Sequence, residues 1–133
     1  MLEIKIPDFA GYGDEDKRRL ADEQVRSYLG EALAAAGARL APLPQGLQNV
    51  FDDLVIRTGF TNQKAFRAFE EGARNGGDFD GLAQADAAVV EVADRAAAVD
   101  SAGFEACLGE AAAALDRRDQ IMRAFGAAPQ ISA

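Results

Sequence analysis

Residues 80–125 read DGLAQADAAVVEVADRAAAVDSAGFEACLGEAAAALDRRDQIMRAF, and the fold turns on them. Leu82, Ala85, Val89, Val92, Ala96 and Val99 recur at spacings of three and four, the period of one helix face rather than the alternation of a strand. Phe104, Leu108, Ala111, Leu115, Met122 and Phe125 keep the same rhythm, with Arg118 as the one polar interruption. Asp100-Ser101-Ala102-Gly103 supplies turn chemistry between the two arms. The stretch therefore predicts a helical hairpin over residues 80–126.

Upstream of the hairpin, residues 75–81 gather three glycines and two aspartates around Phe79, a clear internal boundary. Before it, residues 14–75 predict three helices. Asp14 is placed to cap the first, with Glu15 and Asp16 in its opening turn. This helix is expected to end near Ala36, with Gly37 just past it. Val25, Tyr28, Leu29, Ala32, Leu33 and Ala36 form its apolar stripe, and the pairs Glu15–Arg19 and Asp22–Arg26 are assigned to its solvated side. In the second helix Leu47, Val50, Phe51, Leu54 and Val55 follow helical spacing up to a stop at Gly59. Thr61 is the candidate cap of the third, which carries Phe66, Phe69 and Ala73. Burial of a phenylalanine contributes about 1.5–3 kcal/mol, so Phe51, Phe60, Phe66 and Phe69 are expected in the core.

At the N-terminus Leu2, Ile4 and Ile6 alternate with Glu3 and Lys5, which predicts a short strand or an extended arm, closed by Pro7. A strand needs a partner for its backbone groups. The other candidate, residues 39–43, contains Pro42. The partner would then be this weak segment or another molecule, which makes Leu2, Ile4 and Ile6 a candidate partner strand. Residues 1–13 are thus read as arm and loop, and residues 127–133 as a frayed tail.

A chain of 133 residues suits a single helical domain with a real core. The net charge of −8 disfavours partners recognised through their phosphates. The absence of histidine removes imidazole metal sites and Ser-His or Cys-His catalysis. Cys107 is the only cysteine, so no internal disulfide can form, and its apolar setting predicts a buried thiol. No apolar run reaches the ~18 residues of a membrane span, and the opening residues do not have a signal-peptide pattern. A cytoplasmic protein without membrane contact is expected.

Few motifs carry chemistry. If Gly81 were the glycine of a calcium loop around Asp78-Phe79-Asp80, Gly76 and Ala87 would fall at ligand positions, so a turn is the better reading. Glu91 with Asp94, and Asp116 with Asp119, lie off the apolar stripes and read as solvated carboxylates, with Asp119–Arg123 as a surface pair. Gly11-Tyr12-Gly13 precedes a helix, but Asp14, Glu15 and Asp16 would repel an anion at its N-terminus.

In residues 53–69, Gly59, Phe60, Gln63 and Phe66 follow a helix ending in Gly-Phe, a polar cap and an aromatic-studded second helix. This stretch resembles the helix-turn-helix of AraC-type regulators, although Phe66 and Phe69 are spaced differently from that family's pattern and Val55 stands where a small residue is usual. The resemblance implies a nucleic-acid-binding segment over residues 47–74, with Asn62, Gln63, Lys64 and Arg67 facing the groove.

The expected fold is all-α: an irregular bundle of about five helices with a C-terminal hairpin and a short N-terminal strand or arm. The expected function is a non-catalytic protein-interaction or assembly module, binding a protein partner or a second copy of itself, with no cofactor, metal or catalytic residues. A nucleic-acid-binding regulator and a small-ligand carrier or enzyme are the alternatives.

Overall fold

The computed structural model describes residues 2–60, 62–74 and 76–127, with the side chains of Glu3, Ile4 and Ala127 outside that description. Its helices are α1 (Leu2–Lys5), α2 (Arg18–Leu40), α3 (Gln45–Thr58), α4 (Gln63–Gly72), α5 (Phe79–Ala96) and α6 (Ser101–Ala127). The fold is all-α, and the five longer helices are the ones expected.

The N-terminal strand is not formed. Residues 2–5 make one helical turn, with the Ile6 amide donating to the Leu2 carbonyl at 2.8 Å. Leu2 and Ile6 are four residues apart, so they share a face in a helix as well as in a strand. What separates the two readings is a partner. Residues 39–43 supply none, because α2 runs on through Leu40, and the turn satisfies its backbone locally. Leu2 and Ile6 are buried in the core, while the side chain of Ile4 lies outside the described residues.

Asp14 is a cap, as its position predicts: its carboxylate accepts from the Asp16 amide at 3.0 Å. It opens a 3-10 turn, Glu15–Lys17, that leads directly into α2. The expected stop at Gly37 is wrong. The helix continues until Ala41, whose extended conformation is the one favoured before Pro42. Gly37 serves packing instead, since a Cβ there would collide with the ring of Phe51 on α3. Thr61 lies outside the described residues, and Asn62 caps α4 by accepting from the Ala65 amide at 3.0 Å. The hairpin is formed as predicted: α5 and α6 pack against each other, with Asp78 and Asp100 capping their starts.

The apolar stripes meet in two clusters. In one, Val25, Leu29 and Leu33 of α2 pack with Leu54 of α3, Val89 of α5, and Phe104 and Leu108 of α6. In the other, Phe66 and Phe69 of α4 pack with Leu82 of α5, and Met122 and Phe125 of α6. With its 27 residues α6 is about 40 Å long and joins the two. Gly72 lets α4 cross α6 closely, because a Cβ there would meet the Phe125 carbonyl. Phe60, expected in the core, is outside at 70% exposed, and Val50 of the α3 pattern is 49% exposed. Phe60 follows the cap residue Gly59, where the chain leaves α3 and the helical period no longer directs its side chain. Among the described residues no helix is long and apolar enough to cross a membrane.

Candidate functional site

Arg118 interrupts the apolar stripe of α6, so its side chain must enter the core. It is 2% exposed, and its guanidinium joins three segments distant in sequence. Nε donates to Asp86 Oδ1 of α5 at 2.6 Å, Nη1 to Asp22 Oδ1 of α2 at 2.5 Å, and Nη2 to the Tyr12 hydroxyl at 3.1 Å. The Tyr12 hydroxyl in turn donates to Asp86 Oδ2 at 2.6 Å. The other oxygen of Asp22 faces Arg26, with Nη2 at 3.1 Å, and Arg26 Nη1 donates to the Thr58 carbonyl at 2.7 Å.

The Asp22–Arg26 pair thus exists but is buried, not solvated as expected from its residue types. Asp22, Val25, Arg26, Leu29 and Leu33 share one helical rhythm, so both charges lie on the buried face of α2. Two arginines and two aspartates neutralise one another inside the bundle, which is how buried charge is tolerated.

The environment sets the protonation of this network. Burial raises the Tyr12 pKa far above the ordinary phenol value; Arg118 opposes the shift and Asp86 adds to it. Burial also raises Asp86, while Arg118 and the Tyr12 hydroxyl pull it back. Burial works against the Arg118 charge, but Asp86, Tyr12 and Asp22 hold it, and its pKa lies well above the usual value. Tyr12 and Arg118 both keep their protons near neutrality, and the network braces the loop, α2, α5 and α6.

An alkaline response follows. Tyr28 is also raised, by its hydrogen bond to Asp94, so both tyrosines hold their protons more tightly folded than unfolded. A raised folded pKa contributes stability that is fully present below the unfolded value, about 10, and is lost as pH rises above it. Stability should fall above this pH by roughly 1.4 kcal/mol per unit for Tyr12 while it stays protonated in the fold, and by less for the more exposed Tyr28. The ultraviolet signal of Tyr12 ionisation should appear together with loss of helicity. Ionisation of both tyrosines in the intact fold at lower pH would contradict this.

Beside the brace lies a pocket of about 480 Å³. Its walls include Leu2 of α1, Phe9 and Tyr12 of the loop, Arg18 in the first turn of α2, and Phe79 and Ala83 of α5. Gln24 holds the loop from behind, accepting from the Ala10 amide at 2.8 Å and donating to the Asp8 carbonyl at 2.9 Å. Tyr12 stands edge-on to Phe69 at 5.5 Å, so the brace and the aromatic cluster both fix this wall. Arg18 is only 9% exposed, and its Nε donates to the Tyr12 carbonyl at 3.0 Å. Its guanidinium carbon lies 6.0 Å from the ring centres of both Phe69 and Phe79. Arg18 Nη1 is buried and has no hydrogen-bond partner among the described residues.

A smaller pocket of about 190 Å³ opens between α2 and α6, with Arg57, Phe60, Asn62 and Asp119 at its rim and Arg118 in its wall. Arg57 reaches Asp116 at 2.7 Å and Asp119 at 3.2 Å, and Asn62 donates to Asp119 at 3.4 Å. These contacts take the place of the expected Asp119–Arg123 pair. Likewise Glu15 pairs with Arg74 at 3.1 Å instead of Arg19, whose guanidinium lies over the Phe66 ring. Among the described residues no cluster of carboxylates or thiols could hold a metal ion.

Of the candidate nucleic-acid residues, Gln63, Lys64 and Arg67 are exposed on α4 and Asn62 is its cap. The two helices of the motif do not share a core: Leu54 of α3 belongs to one cluster, and Phe66 and Phe69 of α4 to the other. Leu2 and Ile6 are brought to the pocket and core instead of to a strand edge.

Fold and site together define a helical bundle with a ligand-sized aromatic pocket at one end. No protein-family model, no curated protein and no solved structure matches the chain. The likeness of residues 53–69 to the AraC-type motif therefore rests on those residues alone.

Proposed function

We propose that this protein is a non-catalytic binding module that takes a small, largely apolar molecule into the pocket between the 9–13 loop, α2 and α5. The observation that carries the proposal is the pocket itself, whose volume of about 480 Å³ falls in the range of small-molecule sites. Its aromatic walls are fixed from behind by the Tyr12–Asp86–Arg118 brace, so little ordering is left to occur on binding. The protein-partner reading rested on an unpaired strand at residues 2–6. With that segment helical and Leu2 and Ile6 buried, this support falls away. The nucleic-acid reading keeps the exposed Gln63, Lys64 and Arg67, while Asn62 donates to the Asp119 carboxylate.

The test is titration with a neutral apolar fluorophore, N-phenyl-1-naphthylamine. One molecule per chain should bind with enhanced emission, and Ala83→Trp, an exposed position on the pocket wall, should abolish it. No binding to the wild-type chain, or undiminished binding to Ala83→Trp, would overturn the proposal.

A further inference from the structure

We infer that the ligand of this pocket carries a carboxylate, held by Arg18. The inference rests on the pocket reading above and adds the chemical class of the molecule.

Among the described residues three arginines are buried: Arg18, Arg26 and Arg118. Arg26 is paired with Asp22, and Arg118 with Asp22 and Asp86. Arg18 differs. Among the described residues no carboxylate lies within ion-pair distance of it, although the chain has 22 acidic residues and a net charge of −8. Its Nη1 is closed off from solvent without an acceptor, a condition native interiors rarely tolerate. Arg18 also lines the pocket, and among the described residues no other lining residue is charged. A carboxylate seated against the guanidinium would supply the missing countercharge.

The group is held ready for such a ligand. The Tyr12 carbonyl fixes Nε, and the adjoining Phe69 and Phe79 rings each lie 6.0 Å from the guanidinium carbon. A planar guanidinium fork matches the two oxygens of a carboxylate. The rest of the wall, with Leu2, Phe9 and Phe79, suits an aliphatic or aromatic body. One positive charge in a strongly acidic protein favours a monoanion over a phosphate dianion. The ligand class is therefore a small amphiphilic acid.

Octanoate and octanamide share a tail and differ in the head group, so calorimetric titration of both isolates the charge. Octanoate should bind about tenfold tighter or more, and Arg18→Gln should remove that preference while leaving octanamide binding in place. The preference should also vanish as pH falls below the pKa of octanoate itself, which tests the claim in the wild-type chain if Arg18→Gln does not fold. Equal affinities in the wild type, or a preference that survives Arg18→Gln, would overturn the inference. Tighter binding of octyl phosphate would overturn the carboxylate assignment. If octanamide and the neutral fluorophore bind and octanoate gains nothing, this inference fails alone; if none of them binds, the pocket reading fails with it.

Discussion

Arg118→Ala should lose about 3–5 kcal/mol of stability, the cost of leaving a buried carboxylate without its partner. That is a large part of the 5–15 kcal/mol that holds a typical domain together. The substitution strands Asp86 completely inside the bundle and takes away one of the two arginines facing Asp22. Denaturant unfolding followed by circular dichroism measures the loss. Its pH dependence identifies the cause. Without Arg118, Asp86 keeps the upward push of burial and loses the guanidinium that opposed it, so its folded pKa rises further above the unfolded one. The folded variant then binds the Asp86 proton more tightly than the unfolded chain does. The Asp86 contribution to its stability is greatest in acid, below the unfolded carboxylate value of about 3.9, and is lost as pH rises through the folded value. The gap to the wild type should therefore narrow in acid. A loss below about 1 kcal/mol, the size of a solvent-exposed pair, would mean that water reaches this network.

Phe69→Ala should cost a comparable 3–5 kcal/mol, the usual range for emptying a buried aromatic site. Phe69 is completely buried, and rings from separate segments converge on it: Phe125 at 4.8 Å, Tyr12 at 5.5 Å, Phe66 at 5.9 Å and Phe79 at 6.1 Å. Those rings are anchored on α4, α5, α6 and the 9–13 loop, so they cannot all move in to fill the void. The Arg18 guanidinium would also lose one of its two neighbouring rings. The variant should thus show both a lower unfolding midpoint and weaker binding of the neutral fluorophore. A loss within about 1 kcal/mol, with binding intact, would show that the cluster repacks freely.

The helices were legible because their stripes are long and consistent, most of all the paired stripes of α5 and α6. The N-terminal turn was not, since four residues of alternation fit either period and only the missing partner decides between them. The site was harder for a different reason. By residue type Asp22 and Arg26 read as a solvated pair, and Arg118 reads only as a polar break in the α6 stripe. Position was the stronger signal: Leu82, Asp86 and Val89 are spaced as one helix face, and so are Leu115, Arg118 and Met122. Opposite charges set into two stripes that must face each other imply a buried pair. Which loop residue completes it cannot be read from spacing, because Tyr12 reaches Arg118 across 106 positions of chain. The unpaired state of Arg18 is likewise a property of the assembled fold, invisible until every neighbouring carboxylate has been placed.

Cys107 gives the hairpin a chemical clock. Its sulfur lies in the seam between α5 and α6, 3.9 Å from the Val92 carbonyl, and burial raises its pKa, with Glu110 adding to the shift and Arg95 opposing it. Only a thiolate reacts with alkylating reagents at a useful rate, so each labelling event records a moment when the two arms have parted. Because the chain has one sulfhydryl, those events come from one place. Labelling as slow as complete unfolding would make the hairpin part of the most stable unit of the molecule, whereas faster labelling would mark it as a section that breathes by itself.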